Sequence, residues 1–111
     1  MQSTSLTTLA AERLAAAREA ASGRSAQAIY GGHDHALRQT LLALAAGQEL
    51  AEHESPGEAT LQVLHGRVRL ATADDVWEGG AGDYVVIPSA RHSLTAIEDA
   101  AVILTVVAGS R

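Results

Sequence analysis

The chain has 111 residues, a formal charge of −5 and a hydrophobic fraction of 47%, with no Phe, one Trp and two Tyr. That length suits one domain built on one aliphatic core. The negative charge opposes nucleic-acid phosphates and anionic membrane surfaces alike, and the absence of cysteine excludes disulfides, thiolate metal sites and a Cys nucleophile.

In chain order, Leu6, Leu9, Ala10, Leu14, Ala17 and Ala21 recur near the helical period, which predicts one helix from Leu6 to Ser22. Ser5 or Thr8 is the candidate N-cap, and Gly23 the candidate left-handed stop. A lone helix this short is marginal in water, so it is expected to lie on the rest of the chain or on a partner subunit. No basic stretch followed by an apolar one opens the sequence. No uninterrupted apolar run approaches the roughly 20 residues a membrane-spanning helix needs. These features predict a cytoplasmic protein with no membrane partner.

Beyond Gly31 and Gly32 the chain turns to short segments rich in Leu, Val and Thr, punctuated by Gly, Pro and Asp. Strands are predicted from His35 to Ala45, Ala59 to His65, Arg67 to Ala73, Val76 to Glu78, Tyr84 to Ile87, Ser93 to Ile97 and Ala101 to Ala108. The stretch from Arg67 to Leu70 alternates polar and apolar, as a strand with one wet face does. The run from Val102 to Val107 is apolar apart from Thr105 and is expected to be buried on both faces. Pro56-Gly57 suits a type II turn, and Ala73-Asp74-Asp75 and Glu78-Gly79-Gly80 suit hairpin connections. Many short strands at regular spacing imply a sandwich or barrel.

Two segments carry a more specific pattern. From Gly47 to Gly66 the spacing of glycine, histidine and strand resembles the first cupin motif, G-x5-H-x-H-x3-E-x6-G, and from Gly82 to His92 the chain resembles the second, G-x5-P-x-G-x2-H-x3-N. The resemblance implies an all-β, cupin-type double-stranded β-helix, or jelly-roll barrel, over residues 31–111; the helix read from periodicity places an N-terminal helix and arm over residues 1–30 before it. In that family two His and one Glu of the first motif and one His of the second hold Fe, Mn, Ni or Zn. Here His53 and His92 carry over. Ser55 stands at the second His and Ala59 at the Glu; in the second motif Ala90 replaces Gly, and the interval from Pro88 to His92 is one residue short.

A methyl group cannot coordinate a cation, and a neutral hydroxyl is a poor substitute for imidazole. Catalytic zinc sites hold three protein ligands, so two imidazoles predict at most one weakly bound divalent metal (Zn, Ni, Mn or Fe) at His53 and His92. Glu58 is one residue out of strand parity for the Ala59 position, and His65 lies roughly 20 Å further along the same strand. Ser55, Ala59, Gln62, Tyr84 and Arg91 are the candidate pocket residues, Arg91 for holding a carboxylate bidentately. Nothing reads as a nucleophile elbow or a phosphate-binding glycine loop. The expected function is a module binding a small organic molecule. The alternative is a metal-dependent enzyme of the dioxygenase, isomerase or decarboxylase type using His53 and His92. Cupin-like chains commonly pair, so a homodimer is expected, with the helix and the strand of Leu41, Leu42 and Leu44 as its seam.

Overall fold

The structure is a computed structural model that describes residues 1–53 and 57–107, with His53 described through its backbone only. Helix α1 (Leu6–Glu19) starts at Ser5, whose hydroxyl accepts the Thr8 N–H at 3.3 Å. It stops before Ser22 because Ala20 is already extended, and Gly23, with a φ of 68°, turns the chain into the first strand. The positive φ favours glycine here, and a Cβ at Gly23 would sit 2.5 Å from the Gln48 side chain, which would have to move aside.

Nine strands follow: β1 (Arg24–Tyr30), β2 (Leu37–Leu44), β3 (Glu49–His53), β4 (Ala59–His65), β5 (Arg67–Ala71), β6 (Val76–Gly80), β7 (Tyr84–Val86), β8 (His92–Ala96) and β9 (Ala100–Val107). They form a five-stranded sheet in the order β1-β2-β9-β4-β7 and a four-stranded sheet in the order β3-β8-β5-β6, antiparallel throughout. This is the all-β jelly-roll barrel that the two motifs imply, preceded by the N-terminal helix that the Leu and Ala periodicity predicts.

Strands β1 and β3 have no counterpart in the sequence reading. Both are edge strands of polar composition, so pairing with one neighbour rather than apolar alternation defines them. β1 falls within the segment 1–30 and forms the edge of the five-stranded sheet. Gly79 and Gly80 belong to β6 rather than to a turn. The Trp77 indole lies over Gly79, where a Cβ would approach it to 2.2 Å, and the chain reverses instead near Gly82, whose φ is 91°. The hairpin after β5 forms at the expected place: the Thr72 hydroxyl accepts the N–H groups of Asp74 and Asp75. Ser55 and Pro56 lie outside the described residues.

The inner faces of both sheets share one aliphatic core. Leu44, Ala59, Leu61, Val63, Ala100 and Val102 from one sheet meet Val68, Leu70, Leu94 and Ala96 from the other. A second cluster lies outside the five-stranded sheet, where Leu9, Ala10, Leu14 and Ala17 of α1 pack on Leu41, Ala43 and Ala101. The strand expected to form a dimer seam is thereby consumed within the chain, with Leu41 under the helix and Leu42 and Leu44 turned to the core.

One ion pair fastens the end of the helix. Asp99, in the β8–β9 turn, accepts from Arg18 Nε at 2.7 Å and from the Ala46 N–H at 2.8 Å. The Arg18 guanidinium first, and then the Ala46 N–H, hold its carboxyl below the ordinary value of 3.8.

Leu14→Ala is expected to lower unfolding free energy by about 2 kcal/mol or more, read as a fall in denaturation midpoint, because the residue is buried between helix and sheet. The depressed carboxyl of Asp99 contributes stability that is present above 3.8 and lost as pH falls through its lower folded value. Thermal midpoints measured from neutral to strongly acidic pH should therefore show a shallower acid decline in Asp99→Asn than in the parent chain.

Candidate functional site

The site is built where β3 runs beside β8. Leu50 pairs with Leu94 and His53 pairs with His92, so three residue steps on β3 match two on β8. The extra residue is a β-bulge, the device that re-aims side chains near functional sites. Without it, simple alternation would put Glu52 opposite His92; with it, His53 occupies that register position. Glu52 forms an ion pair with Arg91 instead, Oε1 to Nε at 3.2 Å, with both side chains exposed.

His92 is the one polar side chain in the buried set of the described residues, at 4% exposure. Its Nδ1 lies 3.0 Å from the Ala90 carbonyl oxygen. A carbonyl only accepts, so Nδ1 donates, and in the neutral ring the lone pair then sits on Nε2, the nitrogen suited to a metal or a ligand donor. Around the ring, Leu42, Leu50, Leu61, Leu70, Ile87, Leu94, Val102 and Leu104 enclose a cavity of about 30 Å³. That space holds about one water molecule.

The remaining predicted residues are placed as follows. Ala59 is buried in the same core cluster as Leu94 and Ile87, and its carbonyl accepts the Ile87 N–H at 3.0 Å. Gln62 and Tyr84 are register partners on β4 and β7 and are both exposed. They do not join His92, because Leu61, Val63 and Val85 take the inward positions on either side of them. Arg91 is likewise outside the cavity and paired with Glu52. Ser55 lies outside the described residues, and the His53 side chain is not described. Among the described residues no three His, Asp or Glu side chains converge as a metal site. His65 is exposed at the far end of β4. His33 and His35 lie in the β1–β2 connection, where the Tyr30 ring meets His35 edge-on at 5.1 Å between centroids.

The sequence reading missed Leu42, Leu50, Ile87 and Leu104 as walls around His92. Their signal was strand parity relative to the second motif, and for Leu50 it was hidden in a strand the pattern did not reveal.

Comparison with known proteins assigns this architecture. The cupin domain model matches residues 40–108, and the chain belongs to that family. A conserved protein of unknown function from Streptococcus pyogenes is 27% identical, with a TM-score of 0.70 over 79% of this chain and 76% of that one. An RmlC-like cupin from Desulfovibrio desulfuricans is 25% identical, with a TM-score of 0.66 over 76% and 81%. A mutant form of the salicylate 1,2-dioxygenase of Pseudoaminobacter salicylatoxidans is 23% identical, with a TM-score of 0.73; the match covers 91% of this chain and 33% of that one. No curated protein matches the chain. No helix among the described residues is long and apolar enough to cross a membrane.

The donor set with which the family holds a metal is incomplete in this chain. Of the four ligand positions two carry imidazole, and the position of the Glu is a buried methyl group. His92→Leu keeps the side-chain bulk within an aliphatic wall and removes the contact to Ala90. It should change stability by no more than about 1.5 kcal/mol in chemical denaturation, which makes it a folded control for binding.

Proposed function

We propose that this cupin is a small-molecule-binding module with a degenerate metal site, whose ligand docks over His92 at the β3–β8 end of the barrel. The observation that carries this reading is the placement of one buried imidazole within an otherwise aliphatic wall, in register with a second histidine across the bulge. Recognition sites commonly combine apolar walls with a few fixed polar groups. A ligand matched to this wall is a small organic molecule with an apolar body and one group that hydrogen-bonds to imidazole. The cavity of about 30 Å³ is too small to enclose such a molecule, so the ligand sits at the mouth or displaces the leucines that close it. Thermal-shift and NMR titration with a panel of uncharged aromatic and aliphatic fragments tests this reading. Binders should perturb the His92 ring signals and should lose their effect in His92→Leu; a panel without such binders, or binders indifferent to His92, refutes it.

A second reading, a metal-dependent enzyme of the dioxygenase, isomerase or decarboxylase type, is supported by the register of His53 and His92. The salicylate dioxygenase likeness, at 23% identity, speaks for the fold alone. Titration of apo protein with Zn, Ni, Mn and Fe(II) by calorimetry separates the two. Binding to the unmodified chain is expected to be weak and to fall with decreasing pH, because imidazole coordinates only when neutral. Ser55→His with Ala59→Glu should strengthen it if the barrel holds its register. Tight binding by the unmodified chain would put the enzyme first.

A further inference from the structure

The side of helix α1 that faces the end of β4 leaves a cleft. Leu6, Ala10, Leu14 and Arg18 recur every fourth residue and line it from the helix, and Leu64 and His65 line it from β4. Its volume of about 420 Å³ lies within the range of small-molecule sites and far exceeds the space beside His92. At about 1.5 Å per residue the row from Leu6 to Arg18 is roughly 18 Å long, so the cleft is elongated.

Its chemistry changes along that length. Ala10 and Leu14 belong to the cluster between helix and sheet, and Leu64 packs against the same cluster, so the floor is aliphatic. Arg18 stands at the end of the row. Its Nε donates to Asp99 at 2.7 Å, and no other hydrogen bond engages the guanidinium among the described residues, which leaves the donors of both terminal nitrogens uncommitted. His65 lies at the same end: its imidazole is among the groups that lower the Asp99 carboxyl, and its ring nitrogens make no hydrogen bond among the described residues. None of the residues lining the cleft is acidic, in a chain with a formal charge of −5.

We propose that this cleft binds a small organic carboxylate with an aliphatic body, its chain lying along Leu6, Ala10, Leu14 and Leu64 and its carboxylate received by Arg18. A guanidinium fork meets a carboxylate through two parallel N–H···O bonds, and the His65 N–H can add another donor at the same end. An alcohol offers that fork a single oxygen, and an ammonium meets Arg18 as a like charge, so the head group is selected as well as the body. The cleft lies outside the five-stranded sheet and shares no residue with the cavity at His92, so it stands apart from the ligand reading given above.

NMR titration of the labelled full chain with octanoate, octanol and octylamine, which share one aliphatic body and differ in the head, tests the assignment. Octanoate should bind saturably with a Kd on the order of 1 mM and move the amide signals of Ala10, Ala11 and Leu64. Octanol and octylamine should each bind at least about tenfold more weakly. Ala11→Glu, at an exposed helix position lining the cleft, places a negative charge there and should weaken octanoate about tenfold while the helix holds. Arg18→Gln should weaken it to a similar degree. Asp99→Asn loosens the same contact at the end of the helix but keeps the guanidinium, so it should bind octanoate at least as tightly as the parent; the pair separates a lost head-group contact from a loosened helix. His92→Leu should leave binding unchanged. Absence of a saturable shift by about 20 mM octanoate overturns the proposal. So does equal binding of octanol or octylamine, full binding in Arg18→Gln or Ala11→Glu, or loss of binding in Asp99→Asn or His92→Leu.

Discussion

Strand β9 is the element on which the molecule leans. It pairs along its whole length with β2 on one side and through most of it with β4 on the other, so the five-stranded sheet cannot form without it. Its alternate residues serve different neighbours. Ala100, Val102, Leu104 and Val106 pack in or against the barrel core, while Ala101 receives the helix. A strand so employed is apolar on both faces, and that double burial couples the docking of α1 to the closing of the barrel. The small Ala101, Ala43 and Ala17 side chains let helix and sheet approach closely, which compensates for the shortage of large apolar groups on α1.

The chain closes its core without phenylalanine, and this shapes the site as much as the fold. Leucines and valines from both sheets fill the barrel until a space of about 30 Å³ remains beside His92. The same side chains that stabilise the fold therefore limit what reaches the imidazole. Burial of the ring removes water from it, and its Nδ1 contact to Ala90 fixes which nitrogen presents the lone pair. Among the described residues, His92 is the one buried polar side chain at this end of the barrel.

Much of the fold was legible because the strongest signals were local. The bounds of β4 coincide with the predicted run of alternating Leu61 and Val63, and β5 starts at the predicted Arg67 but ends at Ala71 rather than Ala73, because Thr72 already opens the turn. Glycines at Gly47, Gly66 and Gly82 mark real positive-φ turns, which is why the motif spacing survives. The edge strands were not legible, since their order comes from a neighbour distant in sequence. At the site, the inward histidine of the second motif was readable from the pattern alone. Gln62 and Tyr84 were misassigned to the pocket because polarity was weighed above parity; a strand residue between Leu61 and Val63 faces away from them. Asp99 was invisible for a different reason, because its partners Arg18 and Ala46 lie far away along the chain.

The bulge in β3 makes the group opposite His92 a matter of chain length as well as of residue identity. In a regular strand that group changes only by substitution. Here, if the bulge flattened at the present length, plain alternation from Leu50 would carry the Glu52 carboxylate to the register position of His92. A link one residue shorter between Leu50 and His53 would keep the imidazole there with no bulge at all. Flattening the bulge would thus exchange a base for an acid opposite His92, whereas the one-residue deletion would not, so the bulge and the chain length together set the chemistry at this edge.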